Sequence, residues 1–269
     1  MSFPRHALDS WKTIARRMGR ASHLAVFTDF DGTLVRIRRR PEDVVLPPNV
    51  RHVLAAIARS GVTLGVVSGR EVADLRRRVN LDRIWYAGAH GFFIRDPHNR
   101  SIGFLRPAEK QRIRAISQIL TQRLDGVPGL RLEPKEATIS VHYRAAPERS
   151  VRIARGVVSA IVQRHPEICL LRGKKVWGFL PGTRTDKWSA ISFILQRARP
   201  SSARGRSLTI FLGDDATDER VFRQMRGISV SVGRKHRTRA GYYLRSPAEV
   251  VRLLEKIKAL ADARFGKSP

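Results

Sequence analysis

The chain has 269 residues, enough for one sizeable α/β domain and a smaller module. Its hydrophobic share of 42% is typical of a globular protein, and no stretch approaches the ~20 apolar residues that a membrane-spanning helix needs. A single cysteine excludes an intrachain disulfide. Segment 1–27 interrupts its apolar residues with arginine, lysine or histidine, unlike a secretory signal, so we expect a cytoplasmic protein without membrane contact.

The charge is strongly basic: 52 lysines and arginines against 23 acidic residues give +29. Such a charge attracts nucleic acid, anionic membranes and phosphorylated metabolites alike. The basic residues are scattered over predicted helix faces without aromatic residues between them to stack on bases, which favours solvated surfaces over a nucleic-acid site. A polyanion-binding protein is the alternative from a different functional class, and it would bind with steep salt dependence.

The first half of the chain alternates strands and helices. A predicted helix over 11–18 precedes the apolar run LAVFTDF, which predicts a buried strand that ends at an acidic turn. Pro48 opens an amphipathic helix that Gly61 ends, and the apolar strand VTLGVVS follows. A helix over Arg70–Arg78 and the strand IWYAGA come next. Continuous apolar strands between helices predict an α/β fold with a doubly wound, Rossmann-like parallel sheet.

The pattern changes between residues 106 and 181. Two predicted helices alternate there with short strands, and ATISVHYR alternates polar and apolar residues as a half-exposed antiparallel strand does. We therefore expect an inserted, smaller α+β cap domain over 106–181, with hinges near its two junctions. The core domain would consist of 1–105 and 182–269.

The core pattern resumes after the cap. LTIFLGD and GISVSV predict two more buried strands with a helix between them, and a final helix covers Pro247–Arg264. The segment ARPSSARGR before LTIFLGD is expected to be a mobile loop.

The first chemical motif, Asp29-Phe30-Asp31-Gly32-Thr33, follows the first apolar strand. Ligands of open α/β sheets bind beyond the carboxyl ends of the strands, so both aspartates are expected to face a site. Asp29 can attack phosphorus as a nucleophile. Asp31 can protonate a leaving oxygen and later deprotonate water, and Gly32 gives the turn its backbone freedom. An ordinary acidic loop is the structural alternative.

Two further motifs offer groups for an anion. Ser68-Gly69-Arg70 follows VTLGVVS, where a hydroxyl and the N–H groups of a helix start make an anion pocket. Its alternative is a simple helix N-cap. Lys187 lies at the start of a later predicted helix, where the helix macrodipole disfavours a cation. The placement is reasonable if the lysine faces a phosphate. Its alternative is a solvated surface lysine.

The fourth motif, GDDATDE at 213–219, follows the strand LTIFL. Asp214, Asp215 and Asp218 repel one another, and a hard divalent cation with oxygen ligands relieves this repulsion. Mg²⁺ suits such a site because it takes a few carboxylates together with phosphate oxygens. For Asp218 and Glu219, a favourable interaction with the helix dipole in the first turn is a sufficient alternative, which does not explain Asp214 and Asp215.

In this order the four motifs resemble the haloacid dehalogenase superfamily, and the chain between Ser68 and Lys187 leaves room for a C2-type cap. FTDFDGTL, VSGR, GAHG, SVHYR, GKKV and GDDATDE are similar to the trehalose-6-phosphate phosphatase family. The resemblance implies an Mg²⁺-dependent phosphatase of trehalose biosynthesis that hydrolyses trehalose 6-phosphate through an aspartyl-phosphate intermediate. A glycosyl-glycerol or hexose phosphate is the alternative substrate. We expect a monomer or weak oligomer that binds no nucleic acid.

The resemblance also implies roles for individual residues. Asp29 would be the nucleophile and Asp31 the acid/base, while Ser68 and Lys187 would hold the phosphate. The residues that would bind Mg²⁺ or support its ligands are Asp29, Asp31 through its backbone carbonyl, Asp214, Asp215 and Asp218.

The remaining implied contacts are with the substrate. They are Gly32, Thr33, Gly69 and Arg70, together with Glu133 and Lys135, which match the ExK pattern of the cap. A solvated surface pair is the alternative for the last two. Phe93 and Gly178 stand where the family motifs GxHGxE and KxVxE have glutamate. Each lost acceptor could cost about 1 to 3 kcal/mol in sugar binding.

Overall fold

The structure is a computed structural model that describes residues 3–38, 43–173, 175–182, 185–198, 205–233 and 237–265. Residues 199–204 of the expected mobile loop and Lys174 of GKKV lie outside these ranges. The chain divides into two compact units, Met1–Ile102 with Asp186–Pro269, and Gly103–Thr185. The second unit is slightly longer on both sides than the cap expected at 106–181.

The described residues contain thirteen strands and eight α-helices. The strands are β1 (Arg5–His6), β2 (His23–Thr28), β3 (Thr63–Val67), β4 (Trp85–Gly88), β5 (Phe93–Arg95), β6 (Ser101–Gly103), β7 (Arg131–Pro134), β8 (Ile139–His142), β9 (Ile168–Gly173), β10 (Val176–Pro181), β11 (Ser207–Gly213), β12 (Gly227–Val232) and β13 (Tyr242–Leu244). The helices are α1 (Trp11–Gly19), α2 (Pro48–Arg59), α3 (Val72–Val79), α4 (Pro107–Leu124), α5 (Glu148–Arg164), α6 (Lys187–Ala198), α7 (Ala216–Gln224) and α8 (Pro247–Phe265).

The larger sheet has the strand order β1-β13-β12-β11-β2-β3-β4-β5-β6. In this order, every neighbouring pair of strands from β1 through to β4 is parallel, whereas β4 and β5 are antiparallel. All six residues of the central strand β2 are buried. This arrangement confirms the predicted Rossmann-like parallel sheet. The short strands β1, β5, β6 and β13 had no counterpart in the sequence analysis.

Helices cover both faces of the larger sheet. Alternate residues of β11 point to opposite faces, so the contacts of this strand show what packs on each side. Ile210 belongs to a hydrophobic cluster with Ile14 of α1, Leu54 of α2 and Leu254 of α8. On the other side, the ring of Phe211 lies 5.6 Å from the ring of Phe222 in α7. The carboxyl ends of β2 and β11 are therefore held between two helical layers.

The second unit contains a four-stranded antiparallel sheet in the order β7-β8-β10-β9. Burial alternates along β8, as predicted for a half-exposed antiparallel strand. Its inward residue Val141 packs with Phe179 of β10, Ile116 of α4 and Val158 of α5 in a separate hydrophobic cluster. Among the described residues, no helix is long and apolar enough to cross a bilayer.

Candidate active site

Asp29 lies directly beyond the end of β2, with only 4% of its surface exposed. Its N–H donates to the carbonyl of Leu212 in β11 over 2.8 Å, so the backbone continues the pairing of the two strands. The carboxylate is thus positioned at the carboxyl ends of two parallel strands, where open α/β sheets bind their ligands.

Lys187, the first residue of α6, reaches the same place and is 2% exposed. Its Nζ donates to Asp29 Oδ1 and to Asp218 Oδ1, each over 2.8 Å, and lies 4.0 Å from Asp215 Oδ1. A buried lysine with such contacts is not the solvated surface residue that its position in the sequence also allowed. The three buried charges depend on one another, because an unpaired buried charge is costly.

Asp186 explains how a lysine can begin this helix. Asp186 Oδ1 accepts hydrogen bonds from the Ser189 N–H over 2.8 Å and from the Ser189 hydroxyl over 2.9 Å. This N-cap satisfies a free N–H group of the first turn and places a negative charge at the positive end of the helix dipole. The sequence analysis missed Asp186, although an aspartate directly before a predicted helix is a recognisable cap signal.

The acidic motif after β11 is organised by two side chains. Asp218 Oδ2 accepts from the N–H groups of Asp214 and Asp215 over 2.8 and 2.9 Å. Asp215 caps α7, since its Oδ1 accepts from the N–H groups of Thr217 and Asp218. Asp218 therefore closes a capping box at the start of α7, in line with its interpretation as a helix-start acid, and it contacts Lys187 as well.

Asp29, Asp214 and Asp218 form a buried cluster in which one carboxylate oxygen of each residue lies within 4.8 Å of the other two. The Asp214 carboxylate lies against Gly32, whose φ is +87° and where a Cβ atom would overlap it. An all-oxygen donor set suits a hard divalent cation. Lys187 supplies one positive charge beside these carboxylates, so a divalent cation would offset much of their remaining charge, and the residues fit this role.

Burial is the main cause of the shifted carboxyl pKa values in this cluster. Burial raises the pKa of the Asp29 carboxyl well above its ordinary value, against the opposing effect of Lys187. Burial likewise raises the pKa of Asp218 to about 7. Burial would lower the pKa of Lys187, but Asp218 and Asp29 raise it well above its ordinary value. Lys187 therefore remains a cation, whereas burial favours the uncharged forms of Asp29 and Asp218.

Asp31 lies in a different environment from Asp29. Its two oxygens accept from Arg70, Oδ2 from Nε over 2.6 Å and Oδ1 from Nη2 over 2.8 Å. The remaining terminal nitrogen of Arg70 donates to Asp74 Oδ2 over 2.8 Å, and Arg78 donates to the same oxygen. Although burial opposes it, hydrogen bonds from Arg78 and Arg70 hold the pKa of Asp74 well below its ordinary value. Asp31 is therefore one end of an ion-pair network that continues through Arg70, and the more distant members Asp74, Arg77 and Arg78 were not predicted.

Ser68, Gly69 and Thr33 lie close to these residues in the chain. The Ser68 hydroxyl accepts from the Arg70 N–H over 3.2 Å, and the residue is 2% exposed. Gly69 lies under the ring of His90, whose Cε1 would be 2.6 Å from a Cβ atom at that position. Thr33 is fully buried, and its hydroxyl has no hydrogen-bond partner in the described part of the chain.

Glu133 and Lys135 belong to the second compact unit. The ammonium of Lys135 lies 3.4 Å from Glu133 Oε1, and His142 Nε2 donates to Glu133 Oε2 over 2.7 Å. The hydrogen bond from His142 lowers the pKa of Glu133 to about 2. His142 joins this cluster because β7 and β8 pair side by side, which the sequence analysis did not anticipate.

Comparison with known proteins identifies the family. A family model described as trehalose-phosphatase matches residues 27–247, a range that contains every motif discussed above. The chain belongs to the trehalose-phosphatase family. A probable trehalose-phosphate phosphatase 4 of Oryza sativa subsp. japonica is 30% identical over 260 residues, covering 93% of this chain and 70% of the relative. The trehalose-phosphate phosphatase of Mycobacterium bovis (strain BCG / Pasteur 1173P2) is 33% identical, covering 87% and 61%.

The fold of this trehalose-phosphatase family member is also found in solved structures. The C-terminal domain of C. albicans trehalose-6-phosphate phosphatase superimposes with a TM-score of 0.81 at 18% identity, covering 97% of this chain and 98% of the other. A trehalose-6-phosphate phosphatase related protein superimposes with a TM-score of 0.73 at 21% identity, covering 89% and 99%. These similarities confirm the predicted fold class.

Proposed function

We propose that this member of the trehalose-phosphatase family hydrolyses trehalose 6-phosphate to trehalose and inorganic phosphate. The observation that carries the proposal is the buried contact of Lys187 with Asp29 and Asp218 at the carboxyl ends of β2 and β11. A fixed cation beside a carboxylate nucleophile is what phosphoryl transfer requires, since this chemistry depends on positioning and on neutralisation of oxygen charge. The names of the curated relatives support the choice of substrate.

The first step forms an aspartyl phosphate. Asp29 Oδ1 accepts a hydrogen bond from Lys187, so we assign the attack on phosphorus to Oδ2. As the Oδ2–P bond forms, the bond from phosphorus to the sugar oxygen breaks, and Asp31 supplies a proton to that oxygen. Lys187 and the hydroxyl of Ser68 hold the oxygens of the transferred group.

The second step returns the enzyme to its starting state. Asp31, now a carboxylate, takes a proton from a water molecule whose oxygen attacks phosphorus. The bond between phosphorus and Asp29 breaks, inorganic phosphate leaves, and both aspartates recover their initial forms. Two carboxylates thus divide the work, one making the covalent bond and the other moving the proton.

Arg70 sets a condition on this cycle. Because both oxygens of Asp31 accept from Arg70, Asp31 has to give up at least one of these bonds before it can hold a proton for the sugar. Asp74 remains bonded to Arg70 and compensates its charge when Asp31 turns away. We therefore assign Arg70 to the control of Asp31 in addition to its expected contact with the substrate.

Mg²⁺ would suit this cluster, and Asp29, Asp214 and the backbone carbonyl of Asp31 would hold it. Both oxygens of Asp218 already accept hydrogen bonds, so Asp218 would support the metal ligands and would not bind the cation directly. Asp215 caps α7 and so fixes the turn before it. When bound, Mg²⁺ would neutralise charge on the phosphoryl oxygens.

The unit Gly103–Thr185 would serve as the cap, with Glu133 and Lys135 as its sugar contacts. Phe93 and Gly178 favour a second candidate substrate, a different glycosyl phosphate, because each removes an acceptor that the family motifs provide. Gly178 has room for a side chain, since a Cβ atom there would only touch Leu171 and Leu180 at ordinary distances of 3.8 and 3.9 Å.

The test is phosphate release from a panel of substrates with Mg²⁺: trehalose 6-phosphate, glucose 6-phosphate, glucosyl-glycerol phosphate and p-nitrophenyl phosphate. We expect trehalose 6-phosphate to have the highest kcat/KM, and Asp29→Asn to abolish turnover of every compound. Preference for another sugar phosphate would leave the proposed mechanism unchanged and would assign that compound as the substrate. Equal phosphate release by the wild type and Asp29→Asn would refute the proposed mechanism.

A further inference from the structure

The turn Ala89–Gly91 has an unusual backbone. Three consecutive residues have positive φ, +49° at Ala89, +58° at His90 and +105° at Gly91. This region is unfavourable for residues that carry a Cβ atom, and it persists only where the surrounding structure enforces it. Ala89 and Gly91 are buried. The turn is therefore held in place by its neighbours, and its contacts show which ones.

On one side the turn contacts the motif Ser68-Gly69-Arg70. The Ala89 N–H donates to the Arg70 carbonyl over 2.6 Å, and the His90 N–H donates to the Ser68 carbonyl over 3.0 Å. Two successive N–H groups of the turn therefore face the same loop. The Ser68 loop is thus tied to this turn at both of its ends.

On the other side the turn contacts the start of α6. Gly91 lies against the carbonyl group of Asp186, and a Cβ atom at position 91 would overlap the carbonyl oxygen. The same oxygen accepts the first backbone hydrogen bond of the helix, from the Ala190 N–H over 3.2 Å. Lys187 is the next residue in the chain, so a shift of Asp186 would move the beginning of the helix that carries Lys187.

We propose that the turn Ala89–Gly91 is a positioning element that sets the spacing between Ser68 and Lys187. This inference rests on the proposed function, in which these two residues hold the phosphate. The turn touches neither the phosphate nor the nucleophile in this assignment, and it acts through the two segments that it joins. Its backbone shape, and not the imidazole of His90, is the property that matters.

The first variant is Gly91→Ala. The added Cβ would displace Asp186 and Lys187, and a misplacement of about 1 Å at a reacting group can lower the rate about a hundredfold. We expect kcat to fall between about tenfold and a hundredfold for trehalose 6-phosphate and p-nitrophenyl phosphate alike, because the lesion affects the phosphate site. Binding of inorganic phosphate, measured by calorimetry, should weaken as well.

The matched control is Gly233→Ala. Gly233 also has a positive φ of +83°, but no atom of the described residues lies within 4 Å of a Cβ atom at that position. In this variant the only expected effect is the unfavourable backbone conformation of alanine at positive φ. Its unfolding midpoint should therefore fall, while kcat and phosphate affinity stay close to wild type. If Gly91→Ala matches Gly233→Ala in kcat and phosphate affinity, the positioning role is refuted.

His90 supplies a second test that does not depend on Gly91→Ala folding. Asparagine tolerates the left-handed region and valine does not, so His90→Asn should keep at least about half of kcat while His90→Val loses about tenfold or more. Equal losses in both variants would assign the effect to the imidazole and overturn the proposal.

Failure of the proposed function gives a different result. A wild type that releases no phosphate from any substrate refutes the function, but phosphate binding by the wild type, Gly91→Ala and Gly233→Ala still tests the turn. A wild type that neither turns over substrate nor binds phosphate overturns both proposals.

Discussion

The charged cluster around Asp29 and the cluster around Glu133 are built in opposite ways. The side chains of Asp29, Lys187 and Asp218 are between 0 and 6% exposed, whereas those of Glu133 and His142 are 34 and 25% exposed. Charges in a buried network interact strongly, and water cannot take the place of a lost partner there. Exposed ion pairs contribute little to stability. The region assigned to phosphate chemistry therefore tolerates little change. The departures Phe93 and Gly178 instead concern positions of the family's sugar-facing motifs.

The largest expected effect is that of Asp29→Asn, which removes the nucleophile of the proposed mechanism. Because an amide cannot form the aspartyl phosphate, phosphate release should fall by about 10³-fold or more. Asp262→Asn is the matched control, since it changes an exposed aspartate that pairs with Lys258 on α8. Similar kcat values of the two variants with p-nitrophenyl phosphate would contradict the role assigned to Asp29.

The next effect concerns stability. Lys187→Met removes the cation that Asp29 and Asp218 share, and breaking a buried ion pair in this way costs about 3 to 5 kcal/mol. Lys258→Met, which breaks a partly exposed pair, should cost no more than about 1 kcal/mol. Urea unfolding followed by circular dichroism measures both. Equal stability of the two variants would show that burial does not distinguish these pairs.

A smaller effect is expected in the sugar-facing region. Gly178→Glu restores a carboxylate at a position with room for it and should raise kcat/KM for trehalose 6-phosphate about fivefold relative to p-nitrophenyl phosphate, equivalent to about 1 kcal/mol. Gly156→Glu is the charge-matched control, because it adds the same group on an open face of α5. A gain of the same size in the control would assign the effect to net charge.

The smallest effect is a pH dependence of stability in the cap unit. The folded pKa of Glu133 is about 2, below its ordinary value of 4.5, so its charged form stabilises the fold above about pH 4.5. That contribution is lost as the pH falls towards 2.

The measurement compares wild type with Glu133→Gln in urea at pH 6 and pH 3. Because Glu133 is about one-third exposed, we expect an advantage of the wild type of at most about 1 kcal/mol at pH 6, and less at pH 3. Glu136→Gln, which removes an exposed partner of Lys110, is the control. An advantage that grows on acidification would contradict the assigned direction of the pKa shift.

Much of the fold could be predicted because its strands are long and continuously apolar. The run LAVFT became β2 and TLGVV became β3, since a strand buried on both faces needs no polar alternation. The strands β1, β5, β6 and β13 were missed because two or three residues are too short for a periodic pattern. They depend on the edges that neighbouring strands offer to them.

The sequence alone determined which residue types follow each buried strand, because the apolar runs and their polar ends are local features. Asp29, Ser68 and Asp214 could be assigned to one site on that basis. Only the tertiary structure decided the partners: Lys187 bridges Asp29 and Asp218, and Arg70 pairs with Asp31 across 39 positions of the chain. Such pairings are set by the order of the strands and the packing of helices on the sheet, which no local pattern records.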